Sequence, residues 1–220
     1  MNCRGAAENY PVGNDLHAPK ITDRFVDAVR CATALHARQE RKGTSVPYIG
    51  HLLAVAGLVI DAGGSEDEAI AAILHDAPED QGGASIVEEI RTRFGSRVAE
   101  IVVACSDSLE ADPRAKQPWL ERKQAYIDHL RVVGDRSVYL ISAADKLHNA
   151  QSMLDDYRVV RDKLWGRFNP GGGRDRIIWN YRELIKIYEG QPQDDRRTQI
   201  VRRLKESVDS LDAESAARPM

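Results

Sequence analysis

The chain has few cysteines and no long apolar run. Its three cysteines, Cys3, Cys31 and Cys105, are far apart and form no CxxC pair, which disfavours both a disulfide framework and a thiolate zinc site. The longest strongly apolar stretch, Leu52–Ile60, is about half of the ~20 residues that a membrane span requires. The beginning of the chain lacks the basic-then-apolar pattern of a secretory signal. We therefore expect a cytoplasmic protein with no membrane partner.

An excess of charge of either sign is also lacking. The 31 Lys and Arg residues against 34 Asp and Glu residues give a net charge of −3, which does not suggest binding to a nucleic acid polymer. Hydrophobic residues make up 42% and charged residues 30% of the chain, a composition typical of globular proteins. At ~100–200 residues per domain, the 220 residues favour a single domain.

Hairpin signals such as Asn-Gly are missing, and the apolar residues recur at helical spacing. Thr22 or Asp23 is positioned to cap the first helix, and Ser65 with Glu68 has the spacing of a capping box. We predict an all-α fold, a single bundle of about eight helices. The predicted organisation is a flexible lead-in over 1–20, a helical domain over 21–211, and a tail over 212–220.

Polar side chains interrupt three segments that otherwise read as buried helices. His51 begins the apolar run HLLAVAGLVI, His75 and Asp76 end the run AIAAIL, and Asp145 lies in the middle of YLISAADKLHN. A carboxylate in apolar packing costs several kcal/mol unless a cation or several donors satisfy it. Two imidazoles and two carboxylates suit Mn, Fe, Co, Ni or Zn better than Ca or Mg.

Each of these residues alone has a simpler interpretation. A lone histidine on an apolar helix is more often a hydrogen-bonded core residue than a metal ligand, and Asp145 could pair with an arginine elsewhere in the chain. The metal hypothesis depends on three such intrusions occurring on three helices that are all expected to be buried. We therefore predict a site for one divalent metal.

Two further groups of polar residues adjoin this set. Glu79 and Asp80 follow Pro78, where the chain should turn; the pair could orient a water, take its proton or protonate a leaving group, or form a solvated acidic turn. Basic residues precede His51, and a polar row lies along the Asp145 helix; both could line a phosphate or nucleotide pocket, or be solvated helix faces. These residues are Arg38, Arg41, Lys42, Lys146, Asn149, Ser152 and Arg158.

Taken in order, these residues resemble the HD superfamily of metal-dependent phosphohydrolases, most closely the alarmone-hydrolase domain of RelA/SpoT homologues. The resemblance covers about residues 22–160 and implies an all-helical HD fold, usually with Mn²⁺. The matching segments are His36-Ala-x-Gln-x-Arg-Lys, Pro47-Tyr48-Ile49-x-His51, His75-Asp76-x-x-Glu79-Asp80, Glu121-Arg122-Lys123 and Ala144-Asp145-Lys146-Leu147-His148-Asn149.

The resemblance also implies a role for each matching position. The implied metal ligands are His51, His75, Asp76 and Asp145. The implied catalytic pair, which would activate water, is Glu79 and Asp80. The implied substrate-binding residues are Arg41, Lys42, Tyr48, Lys146, Asn149 and Ser152.

The implied reaction removes the 3′-pyrophosphate from (p)ppGpp, a small-molecule nucleotide, giving GDP or GTP and pyrophosphate. A chain of this length has no room for the synthetase and regulatory regions of long RelA/SpoT enzymes, so the resemblance is to a small stand-alone hydrolase. A homo-oligomer is compatible with the sequence. The alternatives are the same chemistry on (p)ppApp or NADPH, and a non-catalytic nucleotide sensor or protein-binding module.

Three departures from the family pattern accompany the match. The loop between Lys42 and Pro47 is about one residue longer than usual, Ala77-Pro78 replaces the commoner Thr-Val type of pair, and Ser152 stands where a threonine is usual. The first and third bear on the nucleotide contacts, and the second on the shape of the acidic turn.

Overall fold

The structure, a computed structural model, describes residues 20–110, 112, 114–168, 173–192 and 195–216. Its helices are α1 Asp23–Leu35, α2 Ile49–Asp61, α3 Glu66–Leu74, α4 Ala77–Gln81, α5 Ala84–Phe94, α6 Ser96–Cys105, α7 Trp119–Val132, α8 Arg136–Val160, α9 Gly173–Glu189 and α10 Asp195–Ala216. In this described part of the chain, β pairing is limited to one bridge between Glu40 and Pro47. The predicted all-α class is confirmed.

Local interactions explain where several helices begin and end. The Thr22 hydroxyl accepts from the Arg24 amide at the start of α1. At the start of α3, the Glu68 amide donates to Ser65 Oγ, and the Ser65 amide donates to Glu68 Oε2, so the predicted capping box forms. Gly63, with φ +77°, ends α2 in a backbone conformation that glycine adopts readily.

Helix α8 lies at the centre of the bundle and packs against α2, α3, α6, α9 and α10. Every residue from Val138 to Asp145 is buried, which agrees with a segment that is mainly apolar in sequence. Helix α3 is also enclosed, because every residue from Ala69 to Leu74 is fully buried. Asp145, in the enclosed part of α8, is therefore held in the protein interior.

The predicted turn at Pro78 differs from the structure. Helix α3 ends before Pro78, and the chain turns at His75 and Asp76. Pro78 lies in the first turn of the short helix α4. Proline is tolerated there because its missing N–H would have no partner within the helix. The break points the His75 and Asp76 side chains away from the axis of α3, and α4 carries Glu79 and Asp80.

The C-terminal helix is longer than predicted. Helix α10 continues to Ala216 instead of ending at residue 211, so residues 212–216 of the predicted tail are helical. Ion pairs with earlier helices explain the extension, since Arg174 and Arg182 of α9 both contact Asp212, and Arg158 of α8 contacts Glu214 at 2.7 Å. Residues 1–19 of the predicted lead-in and the last four residues lie outside the described residues.

None of the helices described combines the length and the apolar character needed to cross a bilayer. This finding agrees with the short apolar stretches of the sequence.

Candidate metal centre and cleft

The four predicted metal ligands come from three separate segments that meet beside α8. His51 lies in the first turn of α2, His75 and Asp76 lie between α3 and α4, and Asp145 is in the middle of α8. His51, His75 and Asp145 are buried, while the Asp76 side chain is 19% exposed. The bundle therefore brings together residues that are up to 94 positions apart in the sequence.

The ligand atoms of these side chains lie close to one another. His51 Nε2 is 3.2 Å from Asp145 Oδ1 and 3.6 Å from Asp76 Oδ2. His75 Nε2 is 3.1 Å from Asp76 Oδ2 and 3.7 Å from Asp145 Oδ1. Two atoms bound to the same first-row metal, each about 2.0–2.2 Å from it, are separated by roughly 3–4 Å. The ligand atoms of His51, His75 and Asp76 all lie within 4.8 Å of one another, as a shared metal requires, and Asp145 Oδ1 lies beside the two histidine nitrogens of this group.

The histidine nitrogens that face this point have no hydrogen-bond partner. His51 Nε2 and His75 Nε2 are both buried and unpaired, although buried polar atoms are normally satisfied. On its other side, His75 Nδ1 lies 2.8 Å from the Ala72 carbonyl and donates to it, so Nε2 is the ring atom that can bind a metal. A divalent cation would satisfy both unpaired nitrogens, so the residues present fit a metal ion.

His148 orients the second imidazole, and the sequence analysis gave it no role. Its Nδ1 lies 2.8 Å from His51 Nδ1. Burial, followed by the neighbouring His51 and Arg41, lowers the pKa of His148 to about 4, so its ring is neutral near pH 7 and can accept a hydrogen bond from His51 Nδ1. The only sequence indication was its place three residues after Asp145, which puts both on one side of α8.

The electrostatics of the centre favour a positive charge at the meeting point. Burial alone would lower the pKa of His75, but Asp76 and Asp145 raise it well above its ordinary value. Burial would likewise raise the pKa values of the two carboxyls, yet His75 and, for Asp145, Lys146 hold them well below their usual range. A field that retains a proton on a buried imidazole also attracts a metal cation.

Three of the predicted substrate-binding residues contact the candidate ligands directly. Tyr48 donates a hydrogen bond of 2.5 Å to Asp76 Oδ2, and the Lys146 ammonium pairs with Asp145 Oδ2. Asn149 Nδ2 donates to Asp145 Oδ1 at 2.5 Å, and Arg41 in turn donates to Asn149 Oδ1 at 3.0 Å. These contacts fix the carboxylates and connect the basic wall of the cleft to the candidate centre.

The candidate centre adjoins a cleft of about 350 Å³, which Asp76 lines. The predicted catalytic pair and all six predicted substrate-binding residues line it, so the structure brings every predicted site residue to one place. The polar residues of the wall that were predicted are Arg41, Lys42, Tyr48, Glu79, Asp80, Lys146, Asn149 and Ser152. Their roles stay predictions.

The two acidic residues of α4 have different surroundings. Asp80 accepts a 2.7 Å hydrogen bond from Gln39 Nε2, and burial together with Asp76 raises its pKa. Burial and the charge of Asp107 raise the pKa of Glu79 to about 8. Both carboxyls line the cleft, where Glu79 is half-buried and Asp80 is exposed to solvent.

Aromatic side chains that were not among the predicted site residues also line the cleft. Trp119 begins α7, Phe168 follows the 3-10 turn Arg161–Arg167, and Tyr181 lies on α9. The residues from α9 show that the C-terminal part of the chain, which carried no motif, closes one side of the cleft. A basic wall, an acidic pair and an aromatic wall together suit a ligand with phosphates and a planar base.

Comparison with known proteins places the HD domain family on residues 28–164 of the chain. A guanosine-3′,5′-bis(diphosphate) 3′-pyrophosphohydrolase of Aquifex aeolicus is 33% identical over 148 residues, which are 67% of this chain and 20% of that protein. The pyrophosphohydrolase MESH1 of Xenopus tropicalis is 34% identical over 132 residues, 59% of this chain and 69% of that protein. The chain thus spans about a fifth of the first relative and about two thirds of the second.

A solved structure has the same fold. It belongs to a metazoan orthologue of SpoT that is described as hydrolysing ppGpp. It matches with a TM-score of 0.62 and 22% identity, over 90% of this chain and 98% of that one. At this level of identity the likeness concerns the fold, which agrees with the helical bundle described above.

Proposed function

The chain belongs to the HD domain family, and we propose that it is a metal-dependent hydrolase that removes the 3′-pyrophosphate from (p)ppGpp, giving GDP or GTP and pyrophosphate. One observation carries the proposal: His51, His75, Asp76 and Asp145 converge with two unpaired imidazole nitrogens beside a cleft lined by arginine, lysine and carboxyl groups. The relatives named for this reaction support the choice of substrate.

His51, His75, Asp76 and Asp145 would hold one divalent cation, proposed as Mn²⁺ because the family usually contains it. A mixed set of nitrogen and oxygen donors also fits Fe, Co, Ni and Zn. When bound, such an ion supplies Lewis acidity, which lowers the pKa of a bound water and polarises a phosphoryl oxygen. His148 and the Ala72 carbonyl keep the two imidazoles in the tautomers that such binding requires.

Basic side chains of the cleft wall would bind the phosphates. Arg41 is held by Asn149 and lies 5.9 Å from the centre of the Tyr48 ring, so its guanidinium is oriented before substrate arrives. Burial and nearby cations lower the pKa of Lys42, and a bound phosphate would favour its charged form. Asn149 and Ser152, one turn apart on α8, would contact the nucleoside.

The acidic pair would handle protons. Asp80, held by Gln39, lies on α4 just beyond Asp76, so its free oxygen can orient a water beside the candidate metal. Glu79, on the same turn of helix, faces the cations of α7. Both residues are therefore placed to act on the attacking water or on the leaving group, as general acid–base catalysis requires.

A panel of nucleotides tests the proposal directly. Purified protein loaded with Mn²⁺ is incubated with ppGpp, pppGpp, ppApp and NADPH, and products are separated by anion-exchange chromatography. Release of pyrophosphate and GDP from ppGpp supports the proposal. A clear preference for ppApp or NADPH would replace the substrate and keep the chemistry, whereas no turnover of any compound would favour the non-catalytic sensor. The cytoplasmic location and a homo-oligomer stay predictions of the sequence.

A further inference from the structure

Asp107 is a buried carboxylate that the proposed chemistry has not used. It follows α6, and its side chain is only 4% exposed. Arg122 NH1 lies 2.5 Å from Asp107 Oδ1, and Lys123 Nζ lies 2.5 Å from Asp107 Oδ2. Each oxygen of this carboxylate therefore has its own cation, and both cations come from consecutive positions of α7.

Glu79 lies beside this ion-paired group but has no close cation of its own. Glu79 Oε1 lies 3.7 Å from the same Arg122 nitrogen that binds Asp107, and the Glu79 carboxyl shares a hydrogen bond with the Asp107 carboxyl. Lys116 donates to the backbone carbonyl of Glu79, not to its side chain. When two buried carboxyls share the same neighbouring cations, ionising both costs much more free energy than ionising one. Asp107 is the better paired of the two, so the proton resides on Glu79.

The charges around Glu79 come from several parts of the chain. Negative groups on α4, just before α4 and just after α6 favour the protonated form of Glu79. Cations in the loop after α1, in residues 114–118 and on α7 oppose it. These groups are Asp76, Asp80, Asp107, Lys42, Lys116, Arg122 and Lys123. Burial and Asp107 outweigh the cations and raise the pKa of Glu79 to about 8, while the pKa of Asp107 is lowered to about 2, because Lys123 and Arg122 outweigh its burial.

We propose that Asp107 is a positioning residue that keeps Glu79 protonated, so that Glu79 enters the reaction as the general acid. This inference rests on the proposed function and distinguishes the roles of the acidic pair. The attacking water gives a proton to the Asp80 carboxylate as its oxygen bonds to the 3′-linked phosphorus. The bond from that phosphorus to the ribose 3′-oxygen breaks with its electron pair on the oxygen, which takes the proton of Glu79.

The test compares the pH dependence of kcat in the holoenzyme and in Asp107→Asn. Activity that needs protonated Glu79 falls as the pH rises through the pKa of Glu79. Asp107→Asn removes a neighbouring negative charge and leaves Arg122 and Lys123 facing Glu79, so this alkaline limb should move by about one pH unit or more toward acid, with KM changed less than kcat. Asp107→Glu, which keeps the charge, should restore the limb.

Glu110→Gln is the matched control, because it removes an exposed carboxylate three positions along the same loop. It should leave the pH profile unchanged. If kcat of Asp107→Asn falls equally at every pH while the alkaline limb stays in place, Asp107 has only a structural role and the proposal is overturned. Activity that rises with pH through the same range in the native protein would make Glu79 a base and would also overturn it.

A second readout does not depend on turnover. The native protein is labelled with ¹³C at the glutamate side-chain carboxyls, and the Glu79 resonance, identified by its loss in Glu79→Gln, is titrated by NMR. A midpoint clearly above that of the exposed glutamates supports the inference, and an ordinary midpoint overturns it. A raised midpoint without hydrolysis of any nucleotide would refute the proposed function while the Asp107 and Glu79 pairing stands.

Discussion

Replacing His148 by phenylalanine should weaken metal binding without unfolding the protein. His148 Nδ1 is the hydrogen-bond partner of His51 Nδ1 at 2.8 Å, and the two rings lie 4.9 Å apart. Phenylalanine retains a planar ring of similar size but accepts no hydrogen bond. The Nδ1 proton of His51, a residue only 2% exposed, would lose its partner, and the tautomer with its proton on Nε2 would compete with metal binding.

The expected loss of metal affinity follows from the role of residues that hold a ligating histidine by a hydrogen bond. Loss of a hydrogen bond to a ligating histidine typically costs about 10–100-fold in metal affinity, which corresponds to about 1.4–2.8 kcal/mol. The cost to the metal-free fold should be smaller, because the histidine ring nitrogens can exchange their proton when no metal must be bound. The loss should therefore appear in the dissociation constant for Mn²⁺ more than in the melting temperature of the chelated protein.

Isothermal titration calorimetry of chelator-treated protein with Mn²⁺ measures this difference. His129→Phe is the matched control, because His129 is an exposed histidine on α7, and it should bind Mn²⁺ as the native protein does. An unchanged dissociation constant in His148→Phe would refute the reasoning. An equal loss in both variants would point to a general effect of histidine replacement and would refute it as well.

Three other substitutions test separate parts of the structure. Asp145→Asn should abolish both metal binding and hydrolysis, whereas Asp80→Asn should keep the metal, measured by elemental analysis, and lose hydrolysis. Ser142→Ala removes the 2.8 Å hydrogen bond of the buried Tyr126 hydroxyl and should cost about 1–3 kcal/mol of unfolding free energy in urea denaturation. Ser65→Ala removes the hydroxyl of the α3 capping box and should cost about 1 kcal/mol in the same assay, with metal affinity unchanged.

Much of the candidate centre could be predicted because its polar residues interrupt helices whose sequences are otherwise apolar. A helix that is apolar all round is buried, so a charged residue such as Asp145 in its middle needs a specific partner. The same reasoning selected His51, His75 and Asp76, and the structure places all four side chains together. Helix ends that depend on neighbouring residues, such as the Ser65 capping box, could be predicted for the same local reason.

Contacts between distant parts of the chain could not be predicted in this way. His51 and His148 are 97 residues apart, and periodicity indicates which face of a helix is buried but not which side chain it meets. Asp107 lies in a polar loop whose composition suggests exposure, yet α7 supplies two cations that bury it. The α9 wall of the cleft and the extension of α10 likewise depend on helix packing that no local motif encodes.

The most direct test of the central claim is anomalous diffraction from crystals soaked in Mn²⁺. The account predicts one strong peak between α2, α3 and α8, within about 2.0–2.3 Å of His51 Nε2, His75 Nε2 and an oxygen of each of Asp76 and Asp145. The absence of a peak at that position, or a peak bound by other residues, would contradict the claim that these four side chains form the metal site.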